Sequence, residues 1–144
     1  MLMTNPTGLW LAALVRARLA AMANAAAAAA HRDFPLYQVV PPAEIAAVFA
    51  IAYRVLAESL EIGDLLPLHS YIREVGAARL RGGATPADLV ALGEIMLAEV
   101  QTVIEQTRTG DPARAEAALR LWEPIARGIR RILTDLPQEP LPAA

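Results

Sequence analysis

Apolar residues recur every three or four positions along most of this chain, which is the spacing of one face of an α-helix. The clearest case lies between residues 86 and 107, where two apolar stripes run side by side. One stripe contains Leu89, Leu92, Met96, Val100 and Val103, and the other contains Val90, Leu97 and Ile104. Two stripes predict a mostly buried, central helix.

Four further segments have helical spacing, so the sequence predicts an all-α bundle of about five to six helices. Their expected limits are residues 5–31, 42–61, 65–81 and 112–136, and the helix over 86–107 is the fourth in order. A connector from His31 to Tyr37 follows the first helix. The sequence contains neither the alternation typical of a β-strand nor an internal repeat.

The turn between the third and fourth helices defines how the two central helices meet. Gly82 and Gly83 can adopt the positive φ that closes a helix. In the Thr-Pro-Ala-Asp sequence that follows, Thr85 offers an N-cap oxygen, a proline occupies the first helical position and Asp88 places an acid in the first turn. Residues 71–106 are therefore predicted to form a central antiparallel helical hairpin.

Two segments depart from an ordinary amphipathic helix. The run Ala25–Ala30 has maximal helix propensity and almost no side chain. It is open to two interpretations, a tight helix–helix or dimer contact and a solvent-facing tract of helix formers. Pro124 lies inside the last predicted helix and removes one backbone hydrogen bond, so we expect a bend near Trp122 or a division into two helices.

Composition then restricts the class of protein. The 144 residues suffice for one domain, predicted over 1–136, and the proline-rich residues 137–144 are expected to form a tail or linker. The net charge is −2, and no lysine is present. The sequence therefore has no basic tract that could bind a phosphate backbone, and no nucleic-acid partner is expected. The absence of cysteine excludes disulfides and Cys-ligated metals.

The apolar stretch near the N-terminus is not interpreted as a secretory signal. No basic residue precedes it, and Arg16 and Arg18 follow where a signal would stay uncharged. No uncharged run in the sequence approaches the roughly 20 apolar residues that a bilayer requires. We therefore expect a cytoplasmic protein without a membrane partner.

The motifs of known chemistry are absent from the sequence. Neither histidine has a glutamate three residues before it, as a carboxylate-bridged di-metal bundle requires. Zinc-protease, P-loop and dinucleotide-binding patterns do not occur. Ser59 and Ser70 lie in predicted helices without a nucleophile elbow. The sequence therefore predicts no enzyme activity, no catalytic residue and no metal site.

Three residues are candidates for ligand binding. His69 could bind haem iron or sense pH, although a lone histidine more often lies at the surface or fills a satisfied core position. Met96 lies on an apolar helix face, which is more typical of a packed core than of a cofactor pocket. Trp122 is the third candidate. No cofactor is predicted, and haem is the alternative that His69 would support.

Arg79 and Arg81 end the third predicted helix and could bind an anionic ligand or partner. Glu74 precedes Arg81 by seven residues, and Asp88 lies across the turn. Structural salt bridges are therefore the favoured role of the two arginines.

The residues around the central turn also resemble a known family. The pattern Gly76-x-x-Arg79-x-x-x-Gly83-x-Thr85-x-x-Asp88-Leu89 follows Leu60-Glu61-x-Gly63-Asp64 and precedes two long helices. It resembles the N-terminal sensor domain of stressosome proteins, the RsbT co-antagonist or RsbR-type domain. The resemblance covers about residues 19–136, and its distinctive part is the segment from the third helix to the fourth.

This resemblance implies a globin-like helical bundle, usually without haem, that forms a homodimer and passes a signal to an output module. The family offers no catalytic residues to transfer. No output module is recognisable in these 144 residues, so the output regulatory domain or protein is expected in cis or in trans. The predicted function is a non-enzymatic sensory input domain in stress-type signalling. The alternative is a globin-like protein that binds haem or another small molecule.

Overall fold

The computed structural model describes residues 5–138, and this part of the chain is all-helical. Its six α-helices are α1 (Pro6–Ala17), α2 (Leu19–Asp33), α3 (Pro42–Ile62), α4 (Leu66–Arg81), α5 (Pro86–Gln106) and α6 (Pro112–Asp135). Short 3₁₀ helices occupy Pro35–Tyr37 and Leu136–Gln138. The predicted all-α bundle is confirmed, and α3 to α6 begin and end within two residues of their expected limits.

Side-chain caps explain where three of these helices begin. The Asn5 side chain accepts a hydrogen bond from the Gly8 N–H, and Asp111 accepts one from the Arg114 N–H. At the start of α5, Thr85 and Asp88 form the reciprocal pair of a capping box, with bonds of 3.1 and 3.0 Å. A proline follows each cap at the first helical position.

The first predicted helix is two helices, so the prediction of one continuous helix was wrong. The chain bends by 67° between α1 and α2, and Arg18 at the break has φ −108° and ψ 11°. Neither glycine nor proline lies at this point, so the local sequence gave no indication of it. A straight helix over the same residues would be about 42 Å long, whereas the bent pair lets both halves pack against α3.

The alanine-rich helix α2 makes its most extensive contact with α3. On its inner face Ala23, Ala26, Ala27 and Ala30 are at most 2% exposed. The alternate positions Ala25 and Ala28 face solvent. Of the two interpretations of this run, the structure selects a tight intramolecular helix–helix contact for its inner face, because side chains this small let neighbouring backbones approach closely.

Helix α6 closes the core and continues through Pro124 as one helix. Trp122 on this helix is 1% exposed and is among the largest fully buried side chains. The expected division into two helices is therefore wrong, and the expected bend stays a prediction. The predicted tail begins within the 3₁₀ turn that follows α6, and residues 139–144 lie outside the described part of the chain.

Within residues 5–138, no single helix has the length and apolar character of a membrane span. The bent pair of α1 and α2 meets that criterion only when the two helices are taken together.

Candidate ligand-binding cleft

A cleft of about 310 Å³ lies where α3, α4 and α5 diverge. The turn between α4 and α5 contains Gly83, whose φ of 103° is in the region that favours glycine, whereas Gly82 keeps an ordinary φ of −82°. Beyond this turn α4 and α5 contact each other only sparsely. Helices α4 and α5 therefore form two walls of an open cleft instead of packing along their length.

The walls of the cleft are mainly apolar and come from all three helices. The apolar residues of the wall are Val40, Ile45, Val48, Phe49, Ala52, Ile72, Val75, Leu89, Leu92 and Met96. Such a wall, interrupted by a few polar groups, is the usual make-up of a small-molecule site, and the volume lies at the lower end of the usual range.

The end of α6 also reaches the cleft. Leu133 is one of the lining residues, and it occupies the space opposite Gly93 on α5. Leu136, just beyond α6, occupies the corresponding space opposite Gly76 on α4. A methyl group added at either glycine would overlap the leucine tip, so both glycines serve as notches that admit the end of α6 between α4 and α5.

Four lining residues carry polar groups, namely Tyr37, Glu44, Tyr71 and Arg79. The Arg79 guanidinium lies over the Tyr37 ring, with Cζ 5.8 Å from the ring centroid, in a cation–π contact. Burial raises the pKa of the Tyr71 hydroxyl, and the nearby Arg79 charge opposes this rise. Glu44 is exposed in the first turn of α3, where the helix dipole stabilises an anion.

The connector between α2 and α3 holds Tyr37 at this position. The Tyr37 carbonyl lies 3.0 Å from His31 Nδ1, and its ring meets Phe34 edge-on with centroids 6.4 Å apart. These contacts, together with Arg79, fix the tyrosine from three directions. The connector that sequence reasoning treated only as a link thus forms one side of the cleft.

Beneath the cleft, a buried hydrogen bond ties α3 to α5. The Tyr53 hydroxyl donates to the Met96 carbonyl at 2.9 Å, and the Tyr53 side chain is fully buried. Burial, and secondarily the charge of Glu99, raises the pKa of Tyr53, so this phenol stays neutral and remains a donor. The bond fixes the separation of the two helices at the base of the cleft.

The three residues predicted to bind a ligand do not lie together. Met96 lines the cleft. His69 lies on the first turns of α4 against Gly128 of α6, and burial and the Arg73 charge lower its pKa. Trp122 is buried in the core, outside the lining. A haem ligated by His69 would therefore have to lie outside this cleft.

The structure corrects the expected role of Arg79 and Arg81. Within residues 5–138, neither guanidinium has a carboxylate within 4.0 Å. Asp88 instead accepts the Thr85 N–H in the capping box, which turns its carboxylate toward the helix end. Arg79 lines the cleft, and this was not predicted because its contact, Tyr37, is distant in sequence.

Among the described residues, no group of three or more His, Cys, Asp or Glu side chains is arranged to hold a metal ion. Comparisons with protein-family models, with curated proteins and with solved structures found no match. The resemblance to the stressosome sensor family therefore stays a hypothesis that depends on the residues around the central turn.

Proposed function

We propose that this protein is a non-enzymatic, ligand-responsive regulatory domain that binds a small, mainly apolar molecule in the cleft between α3, α4 and α5. The observation that carries the proposal is the cleft itself, with a volume of about 310 Å³, mostly apolar walls and a few polar side chains. This arrangement supplies burial for an apolar body and fixed polar contacts for its orientation, which small-molecule sites generally combine.

The regulatory part of the proposal is supported by the position of α6. Leu133 borders the cleft, and Leu133 and Leu136 fill the notches opposite Gly93 and Gly76. A ligand that presses on Leu133 competes with the seating of this leucine between α4 and α5. Ligand binding then favours one position of the α6 end over another, which is how a ligand shifts a conformational equilibrium. An output partner that contacts this end would respond to the change.

The binding step is tested with N-phenyl-1-naphthylamine, a neutral dye whose fluorescence rises in apolar surroundings. We expect saturable binding by the wild-type protein and loss of most of it in Val75→Trp, because Val75 lines the cleft and is partly exposed, so the indole fills the cavity. Val90→Trp is the matched control, since Val90 is 38% exposed on α5 and does not line the cleft. Circular dichroism confirms that both variants fold.

Equal dye binding by the wild type and both tryptophan variants would reject the cleft as the binding site. The transmission step is checked separately by hydrogen exchange with dye-saturated protein. The proposal requires a change in the amide exchange of residues 129–136, at the end of α6. If amide exchange changes only in α3, α4 and α5, the result would support ligand binding and contradict the regulatory part of the proposal.

Self-association is a second part of the proposed function, favoured by an apolar stripe on α3. Val48, Ile51, Val55 and Ile62 are spaced by three, four and seven residues, so they share one side of the helix. Val48, Ile51 and Ile62 are 36%, 43% and 57% exposed, and Val55 is partly exposed. Large apolar side chains aligned in this way on a helix surface are typical of a helix–helix interface.

Sedimentation velocity at micromolar concentrations tests this homodimer. We expect a dimeric wild-type protein, a monomeric Ile51→Glu variant and a dimeric control, Ala98→Glu, in which the same charge is added to an exposed position on α5. A wild-type protein that is monomeric across this range, or an Ile51→Glu variant that remains dimeric, would contradict the α3 interface.

A further inference from the structure

The cleft has one cationic residue and one anionic residue in its lining, and the two differ in accessibility. Glu44 is exposed at the start of α3, whereas Arg79 is partly buried near the end of α4. Among residues 5–138, the Arg79 side chain has no hydrogen-bond acceptor and no carboxylate partner. Its Cζ lies 5.8 Å from the centroid of the Tyr37 ring, and its N–H donors are not used by any protein acceptor among these residues.

The edge of an arginine is suited to one kind of partner. The guanidinium presents its N–H donors in a fixed fork that matches the two oxygens of a carboxylate, and the resulting paired hydrogen bonds are among the strong ones in proteins. The cation–π contact with Tyr37 reduces the freedom of the Arg79 side chain before a ligand arrives. Arg79 is therefore a preformed hydrogen-bond donor for a carboxylate in the cleft.

The apolar part of the cleft contains groups that favour a flat, aromatic body. Tyr37, Phe49 and Tyr71 place three rings in the lining, and Met96 adds a thioether. Aromatic rings attract other rings in offset or edge-on arrangements, and a thioether makes favourable contacts with a ring. A cavity of about 310 Å³ suits a small molecule of about two or three rings.

We infer that the cleft takes an aromatic carboxylic acid, with the ring system between α3, α4 and α5 and the carboxylate on the N–H edge of Arg79. This inference rests on the proposed function, which it deepens by naming the ligand class. Tyr37 and Arg79 act together, because the tyrosine ring positions the guanidinium that binds the acid.

The test compares 2-naphthoate with 2-naphthalenemethanol, its neutral counterpart with the same ring system, by isothermal titration of the full chain. A hydrogen-bonded charge at a partly exposed site corresponds to roughly tenfold in affinity. The wild type should therefore bind the acid about tenfold more tightly than the alcohol. Arg79→Gln should lose most of this difference, because the substitution weakens binding of the acid much more than binding of the alcohol. Arg79→Lys keeps the positive charge but lacks the paired N–H donors of the guanidinium, so it should retain only part of the preference for the acid.

Arg81→Gln is the matched control, because it makes the same charge change two residues away on α4 at an exposed position outside the lining. It should keep the full preference for the acid. If the alcohol binds and the acid binds no more tightly, or if Arg79→Gln keeps the preference, the inference is overturned and the proposed function stands. If neither compound nor the neutral dye binds the wild type, both the inference and the proposed function fail.

Discussion

Two pairs of consecutive helices in this molecule are assembled in opposite ways. Between α2 and α3, alanine side chains fill the contact, and the inner face of α2 is almost completely buried. Between α4 and α5, larger side chains line the space, but the helices diverge and leave a cleft. Small side chains bring backbones together, whereas a wall of larger side chains on diverging helices leaves room for another molecule. We therefore expect the first pair to tolerate added volume poorly and the second pair to accept it.

Adding volume to each pair should give the largest difference. Ala27→Leu inserts three heavy atoms at a position that is 1% exposed on the inner face of α2, and we expect a loss of about 3 kcal/mol in the free energy of unfolding. Val75→Phe adds four heavy atoms on α4 at the cleft wall, where empty space receives them, so the loss should stay below about 1 kcal/mol. Guanidinium unfolding measures both values, and equal losses would contradict the contrast between the pairs.

The bond beneath the cleft should have the next largest effect. Tyr53→Phe removes the hydroxyl that donates to the Met96 carbonyl and leaves that carbonyl with its helical donor alone. We expect a loss of about 1.5 kcal/mol in the free energy of unfolding, measured by the same method. Tyr71→Phe is the control, because the Tyr71 hydroxyl has no protein partner at hydrogen-bond distance among residues 5–138. An unfolding free energy unchanged in Tyr53→Phe would show that α5 is held at its distance from α3 by packing alone.

A smaller effect is expected at the turn that joins α4 to α5. Thr85→Ala removes the side-chain oxygen that caps α5 and should lower the free energy of unfolding by about 1 kcal/mol. Thr102→Ala, at an exposed position inside α5, is the matched control and should not destabilise, since alanine is the better helix former. Chemical unfolding of the two variants side by side makes the comparison, and equal stability of both would refute the capping contribution.

The smallest effect is a pH dependence at the contact of α4 with α6. Burial and the Arg73 charge lower the pKa of folded His69, so the unfolded chain binds a proton that the folded chain resists. The contribution of His69 to the free energy of unfolding is fully present at pH values above its unfolded-state pKa of about 6.5. It is lost as the pH falls from there through the lower pKa of His69 in the folded protein. The unfolding midpoint of the wild type should therefore fall more between pH 7.5 and pH 5.5 than that of His69→Gln.

His31→Gln provides the control for this measurement, since it removes the other histidine of the chain. It should retain the pH dependence that His69→Gln loses. A wild-type midpoint that changes no more than that of His69→Gln would mean that His69 is hydrated alike in the folded and unfolded states.

Helix limits could be predicted wherever the sequence contains a residue with a defined backbone role. Gly63 ends α3 with φ 70°, and Thr85 begins α5 with the expected cap. The bend at Arg18 could not be predicted in this way. The residues around it all favour helix, and it is only in the assembled bundle that α1 and α2 pack against the same partner helix, α3.

The cleft was not predictable from the same pattern. Periodicity identified Leu92 and Met96 as inward-facing, but it contains no information on the distance from their helix to its neighbours. The contact between Tyr37 and Arg79 joins the connector before α3 to the end of α4, and neither residue has a local motif. Only the assembled bundle brings them to one side of the cavity.

Pro124 leaves α6 one backbone hydrogen bond short, although the helix continues through it. Proline has no backbone N–H, so the Arg120 carbonyl, one turn earlier, lacks its usual helical donor. Cooperativity along the helix is weakened at this point, between the segment anchored by buried Trp122 and the segment that carries Leu133. Local unfolding can then begin at the C-terminal end and stop before the anchor. We therefore expect the part of α6 that borders the cleft to open more readily than the part that precedes Pro124.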